Sequence, residues 1–172
     1  GPAKAFDVKA LRTLGEAVSA TKTCRVVVCS SAGVTRPVWS EEKKAKYTGA
    51  SDIPIVRLNP FNILDTKRLA EDELRATAPM LSTIVRPTGL NDDWPRGRVV
   101  FSQGDLAVGR VSRADVASTL AALAVDVDPD LCVGKTLECF AMAGYPAARA
   151  FDDQLRRLKR DTDPALADDA AL

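Results

Sequence analysis

The chain has 172 residues, 46% of them apolar and 27% charged, which is the composition of about one soluble globular domain. Lys and Arg number 24 against 23 Asp and Glu, a formal net charge of +1, so there is no broad field to draw in nucleic acid or an anionic membrane. Histidine is absent, which excludes His-based triads, HExxH zinc sites and Cys/His metal clusters, and no apolar run approaches the ~18 residues of a membrane span.

The opening Gly1-Pro-Ala-Lys4 reads neither as a signal peptide nor as an obvious transit peptide, leaving a processed product, a fragment and a tag scar all open. Phe6 to Ala20 then places Phe6, Ala10, Leu14 and Val18 along one side, the pattern of an amphipathic helix packed on something larger. Arg25 to Cys29 is a short β-branched run of the kind covered on both faces in parallel sheets. Ser30, Ser31 and Gly33 follow at the strand's C-terminal end, where open α/β sheets place their ligands. Residues 36–53 are polar and read as a long surface excursion with a solvated charge cluster from Glu41 to Lys46. A helix is expected over Asn62 to Thr77, with Ile63, Ala70 and Leu74 inward and Glu71, Asp72, Glu73 and Arg75 in water.

Leu81 to Arg86 is the next strand, ended by Pro87-Thr88-Gly89. Residues 91–98 read as a loop, with short extended pieces at Val99–Ser102 and Leu106–Val111. Ser112-Arg-Ala-Asp115 matches a capping box opening a helix to about Val125, with Val116, Leu120 and Leu123 inward. Lys135 to Ala141 is a final strand, and Phe151 to Arg160 a short helix before a frayed polar tail from Asp161. Strands separated by helices argue for an α/β fold with a parallel sheet. The cysteines, Cys24, Cys29, Cys132 and Cys139, form no CxxC and lie on or beside apolar runs, so buried reduced thiols in a reducing compartment are expected.

Four segments in this order carry a family resemblance: Arg25-Val-Val-Val-Cys-Ser-Ser-Ala-Gly-Val34, Lys67-Arg-Leu-Ala-Glu71, Ile84-Val-Arg-Pro-Thr-Gly89 and Val111-Ser-Arg-Ala-Asp-Val116. From about Val8 to Pro146 the chain resembles the second half of an atypical short-chain dehydrogenase/reductase, the NAD(P)-binding or NmrA-like branch. Asp52 to Lys67 and Arg86 to Pro95 are further similar to a plastid subgroup of photosystem biogenesis factors, some with a complex I intermediate-associated domain inserted. The resemblance implies a Rossmann-like parallel sheet with flanking helices over residues 1–146, only the C-terminal half of that fold, followed by a C-terminal helix and polar tail over 147–172. It also implies that Ser30, Ser31, Lys67, Pro87, Thr88 and Gly89 line the nicotinamide end of a cofactor site.

Two departures bear on chemistry. No G-x-G-x-x-G spacing occurs among the glycines, so the loop that would hold a pyrophosphate is missing. The family's Tyr-x-x-x-Lys pair keeps Lys67 but has Ile63 in the tyrosine's place, and an aliphatic side chain does no acid–base work. Tyr47, in the loop ahead of Lys67, is a remote substitute acid.

Bland readings stand beside these. Lys67 reads as a solvent-facing helical lysine, the serines as a local turn, and Pro87-Thr88-Gly89 as a strand terminator. Asp115 reads as a cap, and Trp94 either as a partner anchor or as folded onto its own core. Arg149, Arg156, Arg157, Lys159 and Arg160 read as a solvated face rather than an RNA surface.

The expected function is therefore a non-classical NAD(P)-binding-fold protein without classical redox catalysis. It would serve as a structural or assembly subunit with other protein subunits, of a photosynthetic complex if the plastid resemblance holds. No cofactor is expected on the chain alone, and NAD or NADP if the full fold is assembled. One alternative is an NAD(P)H-dependent oxidoreductase or isomerase completed by a missing N-terminal half; another is a plastid RNA-associated translation factor. The expected location is the plastid stroma or thylakoid surface, with membrane contact only through partners.

Overall fold

The computed structural model describes residues 2–22, 24–147 and 150–166, with side chains from residue 7 onward. In chain order the elements are α1 (Pro2–Thr21), β1 (Val26–Cys29), the short helices α2 (Glu41–Lys46), α3 (Thr48–Ser51) and α4 (Pro54–Leu58), and α5 (Ile63–Thr77). Then come β2 (Ser82–Pro87), β3 (Gly89–Leu90), β4 (Gly97–Ser102), β5 (Arg110–Val111), α6 (Arg113–Ala121), a π turn (Ala122–Asp126), α7 (Pro129–Cys132), β6 (Lys135–Ala143) and α8 (Asp152–Arg157).

The main sheet has the order β1-β2-β6-β4, and β3 pairs with β5 in a small second sheet. β1, β2 and β6 run parallel, as the alternation of helices and strands requires, with Val28 opposite Ile84 and Ile84 opposite Thr136. β4 departs from the expected all-parallel sheet: it returns antiparallel along β6, Phe101 facing Cys139. β4 is therefore the far edge strand, and the Gln154 side-chain amide meets its outer side, donating to the Val99 carbonyl and accepting from the Phe101 amide, both at 3.0 Å.

Alternate strand residues fill two cores. Val85, Phe101, Leu137 and Cys139 pack with Val116, Leu123 and Leu155 beneath α6 and α8, while Leu74, Ala78 and Ile84 pack with Leu11 and Val28 beneath α1 and α5. Ser112 caps α6 by accepting from the Asp115 amide at 3.1 Å. Asp115 itself turns to Arg96, at 2.8 Å, so only half of the capping box forms. Trp94 folds back on the core, its ring nitrogen donating to the Ala141 carbonyl at 3.4 Å.

Several sequence expectations are corrected. The inward side of α1 carries Leu11, Gly15 and Val18, while Ala10 and Leu14 are exposed and the Phe6 side chain lies outside the described residues. The reason is the close approach to α5: a Cβ on Gly15 would collide with the Thr77 side chain. The excursion after β1 is not a solvated loop, since Arg36 and Lys43 are buried within it. Glu71 is buried rather than in water, and Ile63 is 44% exposed rather than inward. Cys132 and Cys139 are buried free thiols as expected, but Cys24 and Cys29 are exposed. Asp161 is not frayed: its carboxylate accepts from the Thr136 amide at 2.7 Å and hydroxyl at 2.6 Å, pinning the chain after α8 to the start of β6. The tail beyond Leu166 lies outside the described residues. Among the described residues no helix is long and apolar enough to cross a membrane.

Candidate functional site: a cleft at the strand ends

The C-terminal ends of parallel strands leave backbone groups and loop side chains facing a crevice, and this chain opens a cleft there. The cleft has a volume of about 600 Å³ and is bounded by residues 29–32 after β1, residues 53–55 at the start of α4, residues 87–90 after β2 and residues 107–110 before β5. Of the residues expected at a nicotinamide, Ser30, Ser31, Pro87, Thr88 and Gly89 all line it. Backbone bonds fix this arrangement: Ser30 N donates to the Val85 carbonyl at 2.7 Å, Ala32 N to Pro87 at 2.9 Å, and Gly89 N to Gly109 at 3.1 Å.

Lys67 stands next door. It lines a separate groove of about 240 Å³ between α1 and α5, together with Asp7, Leu11 and Glu71, and Cys29 and Ser30 line both cavities. Its ammonium group makes no hydrogen bond or ion pair among the described residues, and it is only half-buried. Burial pushes the Cys29 thiol up, and the charge of Lys67 partly counters that.

The Thr88 hydroxyl is, with that of Ser30, one of two buried cleft hydroxyls left unpaired among the described residues. Thr88 is 7% exposed, and its Oγ1 has no hydrogen-bond partner among the described residues. A buried hydroxyl left unpaired costs about 1–3 kcal/mol, so Thr88 offers the cleft a hydrogen-bonding group that no described residue occupies. Ser31 Oγ donates to the Ala32 carbonyl at 3.1 Å, the local turn bond of the bland reading. The Ser30 hydroxyl is buried beside Glu71 and helps hold that carboxyl down, although no hydrogen bond of full geometry joins them.

Arg86, the first residue of Arg86-Pro87-Thr88-Gly89, does not share the cleft. Its Nε and Nη2 donate to Glu71 Oε1 and Oε2 at 3.1 and 2.6 Å, and Arg75 Nη2 reaches the same carboxylate at 2.9 Å. Burial alone would push the Glu71 carboxyl up; the two guanidinium groups outweigh it and hold the carboxyl below the usual range.

A second buried network shapes the far wall. Asp105, in a left-handed conformation at φ 61°, accepts from the Gly33 and Thr35 amides at 2.6 and 2.8 Å. Arg36, with no exposed surface, donates to the carbonyls of Asp105, Ala50 and Ala107 at 2.8, 2.9 and 2.7 Å. Glu138 receives the Asp105 and Ala107 amides at 2.8 and 3.2 Å. The turn after β1, α3 and the loop before β5 are thus locked together around the cleft. Sequence reading missed Arg36, Glu71, Asp105 and Glu138. The available signal was a charged residue within a covered strand, as in Lys135-Thr-Leu-Glu-Cys139 and Thr83-Ile-Val-Arg86, where only pairing permits burial.

The remaining candidates lie elsewhere. Ile63 is on the outer start of α5, and Tyr47 packs edge-on against Trp39 with ring centroids 6.2 Å apart, so neither tyrosine, Tyr47 or Tyr145, lines the cleft. Arg156, Arg157, Lys159 and Arg160 are exposed beyond the cleft, and Arg149 lies outside the described residues. No group of side chains among the described residues suits a metal ion.

Over residues 1–126 the chain matches a protein family described as NAD(P)H-binding, and it belongs to that family. Its fold is shared with an oxidoreductase from Lactococcus lactis, with 19% identity and a TM-score of 0.61 over 88% of this chain and 59% of that one. A wide-type short-chain dehydrogenase/reductase from Veillonella parvula, solved with NADP, gives 19% identity and a TM-score of 0.55 over 83% and 63%. An anaerobillin reductase from Escherichia coli O157:H7 gives 25% identity and a TM-score of 0.55 over 82% and 61%. The chain spans about three fifths of the length of these solved proteins. No curated protein matches it. The family match makes this an NAD(P)H-binding domain, and the solved proteins share its Rossmann-like fold.

Proposed function

We propose that the chain supplies the nicotinamide and substrate side of an NAD(P)H-dependent oxidoreductase. The observation that carries this is the unpartnered, buried Thr88 hydroxyl in a cleft lined by Ser30, Ser31, Pro87 and Gly89. Family membership and oxidoreductase-type folds among its likenesses support the reading. The residues present fit the nicotinamide end of the cofactor: Lys67 would hold the ribose, and the walls at residues 30–31 and 87–89 would seat the ring. They do not provide a pyrophosphate loop, because no G-x-G-x-x-G spacing exists.

A bound reduced nicotinamide supplies a hydride. The chain's part is to orient and to exclude water: Thr88 donates a hydrogen bond to an acceptor oxygen, and the Arg36–Asp105–Glu138 network keeps that wall rigid. With Ile63 in the tyrosine's place and no tyrosine in the cleft, no phenol serves as proton donor here. The plastid location and subgroup, and service in a larger complex, rest on the sequence resemblance alone and are secondary to this reading.

The test is titration of the full chain with NADPH and with reduced nicotinamide mononucleotide, following nicotinamide fluorescence. Saturable binding of both is expected, and Lys67→Ala weakens both about tenfold, the worth of one lost hydrogen bond to a charged group. Binding of neither, or binding unchanged in Lys67→Ala, overturns the reading.

A further inference from the structure

Among the described residues, none lining the cleft carries a carboxylate. Its lining includes two guanidinium groups, Arg36 and Arg110, and not one Asp or Glu. Arg36 is fully engaged with backbone carbonyls and Asp105, whereas the Arg110 side chain has no hydrogen-bond or ion-pair partner among the described residues. Most other arginines on this protein find acidic neighbours, as Arg12, Arg57, Arg68, Arg75, Arg86, Arg96 and Arg113 do. An unpaired cation at the mouth of a cleft with no acidic residue leaves the local field positive in a chain that is otherwise close to neutral.

The position of Arg110 is specified by its neighbours. β3 and β5 pair in parallel with Gly89 opposite Arg110, and the guanidinium lies over Gly89 so closely that a Cβ there would stand 3.0 Å from Nη1. Glycine at 89 therefore lets the arginine lie across the strand end. Around it the rim is apolar and uncovered: Ile55, Leu90 and Val108 are 41%, 44% and 52% exposed. Pro87 and Ile53 continue that surface inward. Apolar walls with one exposed, unpaired cation and the buried Thr88 hydroxyl select a particular shape of ligand. It has a largely apolar body, an acceptor oxygen near Thr88 and an acidic group at the opening.

We infer that this protein takes an apolar, carboxylate-bearing substrate and that Arg110 is the specificity-determining residue that holds its carboxylate. The inference rests on the cleft being the substrate side of the oxidoreductase proposed above. Arginine presents a planar fork that matches a carboxylate in a bidentate pair, and flanking apolar walls strengthen the pair by excluding water. A neutral analogue of the same shape loses that pair and leaves the guanidinium no worse solvated at the rim, so the difference appears as affinity for the charged form.

The probes are 6-acetyl-2-naphthoate, whose ketone supplies the acceptor oxygen, and its neutral near-isostere 6-acetyl-2-naphthamide, titrated into the full chain and into Arg110→Ala, Arg110→Lys and Thr88→Val by isothermal calorimetry. The expected result is a preference of about tenfold or more for naphthoate. Arg110→Ala abolishes it while leaving naphthamide binding unchanged, and Arg110→Lys retains part of it. Thr88→Val weakens both ligands equally. Equal binding of the two probes to the unaltered chain, or a preference that survives in Arg110→Ala, overturns the inference. So does Arg110→Ala weakening NADPH while sparing naphthoate, which would assign the arginine to a cofactor phosphate. Because the naphthoate titration needs no cofactor, its failure is read separately from a failure of NADPH binding, which falls on the oxidoreductase reading instead.

Discussion

Glu71 and Arg86 show how single residues here serve the site without touching it. Their pair is almost completely buried, and removing one partner of such a pair leaves an uncompensated charge, at a cost of about 3–5 kcal/mol. Arg86→Met is therefore expected to lower stability by that order in chemical denaturation, whereas the paired change Glu71→Leu with Arg86→Met restores most of it. The native Glu71 carboxyl lies below the usual range while the unfolded chain keeps the ordinary value. Its contribution to stability is thus fully present above about pH 4.5 and is lost as pH falls through the depressed native value. Denaturation midpoints measured between about pH 6 and 3 should fall more steeply for the unaltered chain than for the paired variant.

Cysteine accessibility gives a second check at this scale. Cys139 is buried and pushed up to about 12 by burial and by nearby Cys29 and Glu138, so it is inert to alkylation in the native protein. Exposed Cys24 and Cys29 react first, and NADPH should slow Cys29 but not Cys24, as peptide mapping after brief N-ethylmaleimide treatment would show. Equal protection of both would place the nicotinamide elsewhere.

At the scale of elements, the segment joining α4 to α5 carries visible strain. Asn59, Phe61 and Asn62 all have positive φ, at 32°, 56° and 55°. Asparagine tolerates this region, and Asn59 uses it by accepting from the Leu64 amide at 3.0 Å, which stops one helix and starts the next. Phe61 gains nothing comparable: it is fully exposed and bulky at a left-handed position. Phe61→Asn is expected to raise stability by roughly 1 kcal/mol, read as a higher denaturation midpoint without loss of cofactor binding. The α1–α5 packing makes the opposite point. Gly15→Val drives a branched side chain into Thr77 and should cost about 1–3 kcal/mol.

For the molecule as a whole, the sheet has two unlike edges. β4, antiparallel to β6, forms one and has its outer side met by the Gln154 side chain, while β1, which pairs only with β2 among the described residues, forms the other. The amides of Val26 and Ser30 donate to Leu81 and Val85, so by the alternation of a parallel ladder those of Val27 and Cys29 point to the open side. In hydrogen exchange, Val27 and Cys29 should exchange rapidly while Val28, Ser30 and the β2 and β6 amides are protected. Protection of Val27 and Cys29 in solution would mean that something pairs with this edge, which an isolated edge strand invites.

How much was legible in advance follows from range. β-branched runs such as Arg25–Cys29 and Leu81–Arg86, and the Ser112 cap, are local patterns, and they located the parallel strands and the start of α6 to within a residue or two. The order of motifs pointed to the NAD(P)-binding fold and drew Ser30, Ser31, Pro87, Thr88 and Gly89 toward one site, because strand ends in a parallel sheet must meet. Periodicity could not separate Leu11 from Ala10 on α1, since the inward face depends on which neighbour α1 meets. Nor could it show that Arg36, Asp105 and Glu138, distant in sequence, close on one another, or that Arg110 is left unpaired over Gly89. Charges read as solvated in one dimension become buried pairs or a free anchor only when the chain decides which of them meet. The sequence by itself thus determined the class of fold and the strand ends that form the cleft. Tertiary contact alone decided which charges are spent on holding that cleft and which one is left to face a ligand.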